Sequence, residues 1–150
     1  MDLSSLIAPN RVVCGLEGGS KKRTLELIAT HIASSLPTLE GEEIFRRLMA
    51  RERLGSTGIG QGIAIPHCRL ENCTGSIGAL FKLKTPLPFD AIDDAPVDLI
   101  FALIVPEEAN DSHLQTLRSL AELFSNTNYL QGLRKATTDG ELYDNALTTL

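Results

Sequence analysis

Basic residues are in the minority: 14 Lys and Arg stand against 19 Asp and Glu in 150 residues, a net charge of −5 at pH 7. A nonspecific nucleic-acid binder needs a cationic surplus to release counterions, so that class is excluded and no nucleic-acid partner is expected. A basic protein partner is compatible with this charge. Cysteine is scarce too. Cys14, Cys68 and Cys73 are odd in number and form no disulfide framework. Cys68 and Cys73 stand near His67, but no second close-spaced pair completes a metal site, so thiols without a metal or cofactor are expected. No uninterrupted apolar run reaches the length of a membrane span. The opening "MDLSSLIAPNRVV" has neither the basic end nor the apolar core of a signal peptide. These absences predict a cytoplasmic protein without membrane insertion. Repeats, low-complexity tracts and long linkers are missing as well, which makes residues 1–150 a single domain.

The composition, 43% hydrophobic and 22% charged, is that of an ordinary globular chain long enough for one core. "RVVCGLE" (11–17) reads as a short strand. Ser20 caps a helix across 21–36, where Leu25, Ile28, Ala29, Ile32 and Leu36 form one apolar face and Pro37 stops it. Thr38 is expected to cap a second helix through about Arg53, with Ile44, Phe45 and Leu48 inward and Gly55 ending it. "GIAI" (62–65) is a brief buried strand. "SIGALFKLK" (76–84) alternates like a half-covered strand, with Ile77, Ala79, Phe81 and Leu83 on one face. "VDLIFALIV" (97–105) suits a central strand covered on both sides. A helix from about Asp111 to Phe124 carries Leu114, Leu117, Leu120, Ala121 and Phe124 on one stripe. Two short helices, near 128–136 and 139–149, follow. The fold class is α/β (α+β), a small mixed sheet with helices on both faces.

"GSTGIGQGIAIPHCRL" (55–70) concentrates four glycines before a short apolar run. It lacks the terminal Gly-Lys-Ser/Thr of a P-loop. A helix precedes it and a strand follows, the wrong order for a dinucleotide fingerprint. No Gly-x-Ser-x-Gly elbow surrounds Ser56. One reading is a flexible helix-to-strand connector. The other is backbone N–H groups brought close to an anion.

The three histidines differ in setting. His31 borders the apolar face of its helix and reads as a surface residue. His67 follows Pro66, which is expected to stop the strand ladder and leave the ring at a strand's carboxyl end, where open α/β sheets hold ligands. His113, with Asn110 or Asp111 as cap, falls in the first turn of its helix on the inward side. Were strands 62–65 and 97–105 parallel, both rings would share one sheet edge at a helix amino terminus, a place for phosphate. Two unrelated structural histidines fit the spacing equally. Asp90, Asp93, Asp94, Glu107 and Glu108 fall in two loops expected to flank that edge and to steer a basic partner.

"RERLGSTGIGQGIAIPH", "FDAIDDAPVDLIFALIVPEE" and "HLQTLRSLAELF" together resemble the enzyme IIA domain of the phosphoenolpyruvate-dependent phosphotransferase system, fructose/mannitol type, nearest its nitrogen-regulatory branch. The resemblance runs from about Leu3 to the chain's end. It implies a phosphocarrier taking a phosphoryl group on His67 from an HPr-like protein, supported by His113 and Arg51. It also implies regulatory targets such as potassium transport systems or sensor kinases. Ser56 and Thr57 are then expected as hydrogen-bond donors to the phosphoryl, and Gly58, Gly60 and Gly62 as points of close backbone approach. Cys68 departs from the pattern, standing where glycine or alanine is common. Two alternatives accompany this reading: a sugar-specific IIA component passing phosphate to a IIB domain, and a binding module that carries no phosphate.

Overall fold

A computed structural model describes residues 2–108 and 111–148. One six-stranded mixed sheet lies between two helical layers. Its strands are β1 (Val12–Leu16), β2 (Gly58–Gly60), β3 (Ile63–Ala64), β4 (His67–Leu70), β5 (Ile77–Leu87) and β6 (Val97–Pro106). The helices are α1 (Lys21–Ser35), α2 (Gly41–Leu54), α3 (Asp111–Leu123), α4 (Thr127–Arg134) and α5 (Asp139–Leu147). Strand order is β1-β5-β6-β3-β2, and β4 also pairs with β6.

The apolar run 97–105 becomes the central strand because both of its faces have a helical layer to bury against. Ile100, Ala102 and Ile104 face the core built with α1 and α2. Leu99, Phe101, Leu103 and Val105 face the second core, which includes Leu120 and Phe124 of the α3 region and Leu130, Leu133 and Leu142 of α4 and α5. Ser20 caps α1 as its sequence position predicts, accepting from the Arg23 N–H.

Four local expectations are corrected. Thr38 does not cap α2; Glu40 occupies that position without a side-chain cap bond. The chain first makes a turn, Leu39 N–H to the Leu36 carbonyl at 3.0 Å, that buries Leu39 in the core. β5 is not half-covered, because the amino-terminal segment lies over its other face: Gly78 N–H donates to the Leu6 carbonyl at 2.8 Å. A Cβ at Gly78 would meet the Phe101 ring at 2.5 Å, so only glycine permits that approach. The preceding strand does stop short of Pro66, at Ala64, but His67 is not left at a strand's carboxyl end. Pro66 lacks a donor, yet its carbonyl accepts from Leu103 N–H at 3.0 Å, and His67 opens β4 in parallel register with β6, opposite Leu103.

The glycine-rich stretch is the fourth. It forms a hairpin in which β2 pairs antiparallel with β3, which pairs parallel with β6. The tip turns through Gly60, Gln61 and Gly62, all with positive φ (101°, 57° and 81°). Gly62 is required twice over, since a Cβ there would also lie 2.6 Å from both Arg134 Nη2 and Asp98 Oδ1.

Candidate active site

Strand alternation sets His67 and Arg69 on the side of β4 opposite Cys68 and Leu70, which enter the α1/α2 core. Beyond β4 the sheet has an edge, and the carboxyl-terminal turn of α2 and the first turns of α3 border it. Between them lies a cavity of about 420 Å³ lined by Arg47, Arg51, Leu54, His67, His113 and Leu114, among others. Parallel pairing of β3 and β4 with β6 brings the two histidines together, for His113 opens the helix that follows β6. The proposed cap Asn110 lies outside the described residues, and Asp111 is already the first helical residue.

The His67 ring is half-buried, with Nδ1 2.8 Å from the Ile65 carbonyl. A carbonyl only accepts, so Nδ1 carries the proton and Nε2 of the neutral ring keeps a free lone pair. Burial holds His67 below the ordinary imidazole range. The Ile65 bond opposes that shift, Arg51 adds to it, and Glu52 opposes it slightly. A neutral ring with one outward lone pair is a nucleophile at neutral pH. Arg51 Nη1 donates to the Gly55 carbonyl at 2.9 Å, which holds the guanidinium at the end of α2 beside the cavity. His113 Nδ1 lies 3.3 Å from Ser76 Oγ.

The other expected phosphate contacts are elsewhere. Ser56 Oγ donates to the Phe89 carbonyl and accepts from Gly58 N–H at 3.0 Å. Thr57 is buried, and both its N–H and its hydroxyl donate to the Glu52 carboxylate. Gly60 faces Asp93, while Gly62 faces Asp98 and Arg134, at the start of β6 rather than at the cavity. The hairpin consumes the backbone freedom that the sequence suggested for an anion, since its tip must pass a paired Asp98–Arg134.

Glu52 is the organising residue that sequence reasoning passed over. Its buried carboxylate accepts from Thr57 and sits 3.3 Å from Lys21 Nζ, which also donates to the Phe89 carbonyl. Only its place beside Arg51 hinted at a role. Arg47 lies between Glu43 (2.9 Å) and Glu107 (3.2 Å). Of the loop acids, Glu107 is thus engaged with Arg47, and Asp93 accepts from Gln61 and Ala95 N–H groups. Asp90 lies 4.0 Å from Lys21. Burial pushes the Cys68 thiol up to about 12 despite nearby Arg47, so it is not a thiolate at neutral pH. His31 is half-buried, its ring centroid 5.9 Å from that of Phe81. Among the described residues no group of three or more His, Cys, Asp or Glu is placed to hold a metal ion.

Residues 5–146 match the family described as "Phosphoenolpyruvate-dependent sugar phosphotransferase system, EIIA 2". The chain is 48% identical over 141 residues to a nitrogen regulatory protein of Pseudomonas aeruginosa, covering 94% of this chain and 92% of that one. Its fold superposes on the crystal structure of the nitrogen regulatory protein IIA-Ntr from Neisseria meningitidis with a TM-score of 0.86. That match has 38% identity and covers 95% of this chain and 97% of the other. IIA mannitol from Escherichia coli shares the fold at a TM-score of 0.75 and 18% identity, over 93% and 97% of the two chains.

Proposed function

Because the chain belongs to the EIIA 2 family of the phosphoenolpyruvate-dependent sugar phosphotransferase system, we propose that it takes up and passes on a phosphoryl group at Nε2 of His67. One observation carries the assignment: the Ile65 carbonyl occupies Nδ1–H and leaves the Nε2 lone pair at a cavity shared with Arg51 and His113. In the transfer, that lone pair attacks phosphorus while the phosphorus–nitrogen bond of a donor phosphohistidine breaks and its electron pair returns to the donor ring. Nε2 carries no proton beforehand, so none has to leave. Arg51 compensates phosphoryl charge, and positioning with charge stabilisation does the catalysis.

The donor in this reading is an HPr-like protein. Its regulatory role follows the nitrogen branch, with targets of the kind that control potassium transport or act as sensor kinases. The 48% identity to a nitrogen regulatory protein, against 18% to the mannitol protein, favours regulation over handing phosphate to a IIB domain. A cytoplasmic location goes with it; no helix among the described residues is long and apolar enough to cross a membrane. Incubation with phosphoenolpyruvate, enzyme I and an HPr-like protein tests the proposal. An acid-labile, alkali-stable adduct on His67 is expected. Undiminished labelling of His67→Ala overturns it.

A further inference from the structure

Ser76 directly precedes β5, whose first residue, Ile77, pairs with Ile104 near the end of β6. That register carries the Ser76 hydroxyl to the beginning of α3, where Oγ lies 3.3 Å from Nδ1 of His113. We propose that Ser76 is a positioning residue: it donates to Nδ1 and so holds His113 in the Nε2–H tautomer, opposite to that of His67. The inference rests on the phosphocarrier reading of the cavity and deepens it.

A hydroxyl can donate or accept, so chemistry decides the direction. A neutral imidazole has one N–H and one lone pair, and the bond made at one nitrogen determines what the other presents. With the Ser76 proton directed at Nδ1, the nitrogen remaining to His113 is an N–H donor. The reverse arrangement would present a second lone pair beside Nε2 of His67, and two lone pairs would repel the oxygens of an incoming phosphoryl group. The cavity then offers one lone pair, from His67, to phosphorus and one N–H, from His113, to a phosphoryl oxygen. Two chemically identical side chains acquire different roles because one meets a carbonyl and the other a hydroxyl.

Long-range proton–nitrogen correlation spectra of the full chain at pH 8 read the tautomers directly. In the wild type, His113 is expected with Nδ1 unprotonated and Nε2 protonated, and His67 with the reverse. Ser76→Ala should shift His113 toward an average of both tautomers and slow phosphoryl uptake at His67 about fivefold, the weight of one hydrogen bond. Ser76→Thr, which keeps the hydroxyl, should restore both. A proton on Nδ1 of wild-type His113 overturns the proposal without any variant. Unchanged spectra and rate in Ser76→Ala do so as well. If His113→Ala takes up phosphate at the wild-type rate, the reading of the site itself fails. If His113→Ala is slow while Ser76→Ala is unaffected, only the role of Ser76 is lost.

Discussion

His67 combines two demands on one imidazole: it must be neutral, and the correct nitrogen must be bare. The Ile65 carbonyl meets the second and partial burial the first. Because the folded protein holds this ring below its ordinary value of about 6.5, the unfolded chain takes up the proton first as pH falls. The ring therefore costs nothing above that value and destabilises the fold progressively below it, levelling off once pH passes the folded-state value. Urea denaturation should show wild-type stability declining more steeply than that of His67→Gln between pH 7 and 5. By the same shift, phosphoryl uptake should persist below pH 6.5, where an ordinary histidine is already protonated, and a rate profile tracks this. In the proposed transfer, His113→Ala removes one donor to the transferring group. It should cost about 2 to 4 kcal/mol of transition-state stabilisation with little change in thermal midpoint, measured by single-turnover transfer and calorimetry on the same sample.

At the scale of elements, the α2–β2 connection is held by a buried carboxylate. Glu52 joins the last turn of α2 to Thr57 and, through Lys21, to the start of α1 and the Phe89 loop. Glu52→Ala leaves the Thr57 N–H unsatisfied and takes from Lys21 the nearer and buried one of its two carboxylate partners, so a loss of about 3 kcal/mol is expected in urea denaturation. The β2–β3 hairpin has a different sensitivity. Gly62→Ala places a Cβ at positive φ against Arg134 and Asp98, which should cost about 1 to 3 kcal/mol. The folded variant should nevertheless accept phosphate at the normal rate, since Gly62 serves the hairpin tip and does not line the cavity. A transfer defect exceeding the stability loss would return the glycine to the site.

Across the whole molecule, the cavity opens onto a rim that carries apolar side chains in water. Leu54 is 84% exposed and Leu114 60%, although the stripe pattern of α3 places Leu114 inward. α3 presents Leu120, with Phe124 just past its end, to the second core, and its first turns overhang the site instead. Exposed leucines on either side of a phosphoryl acceptor suit contact with the donor protein. Leu54→Asp with Leu114→Asp should raise the carrier concentration needed for half-maximal transfer severalfold while leaving the unfolding midpoint near wild type. Steady-state transfer at varied carrier concentration measures it.

Most structural decisions that depended on residues a few positions apart were determined by the sequence alone, the cap of α2 and the outward turn of Leu114 being exceptions. The 25-28-29-32 periodicity makes α1 and buries that face, Ser20 caps it, and the unbroken apolar run of β6 requires cover on both sides. The Ile-Pro-His triplet and the later helix-opening histidine are legible in the sequence, and both rings line the cavity. Other decisions rest on partners far along the chain: Glu52 with Lys21, Gly62 with Asp98 and Arg134, Ser76 with His113. A glycine reads the same in sequence whether it admits a phosphate or an ion pair, and an imidazole reads the same in either tautomer. Periodicity records burial against the chain's own neighbours, whereas a hydrogen-bond partner is chosen only once the sheet's pairing has brought distant segments together.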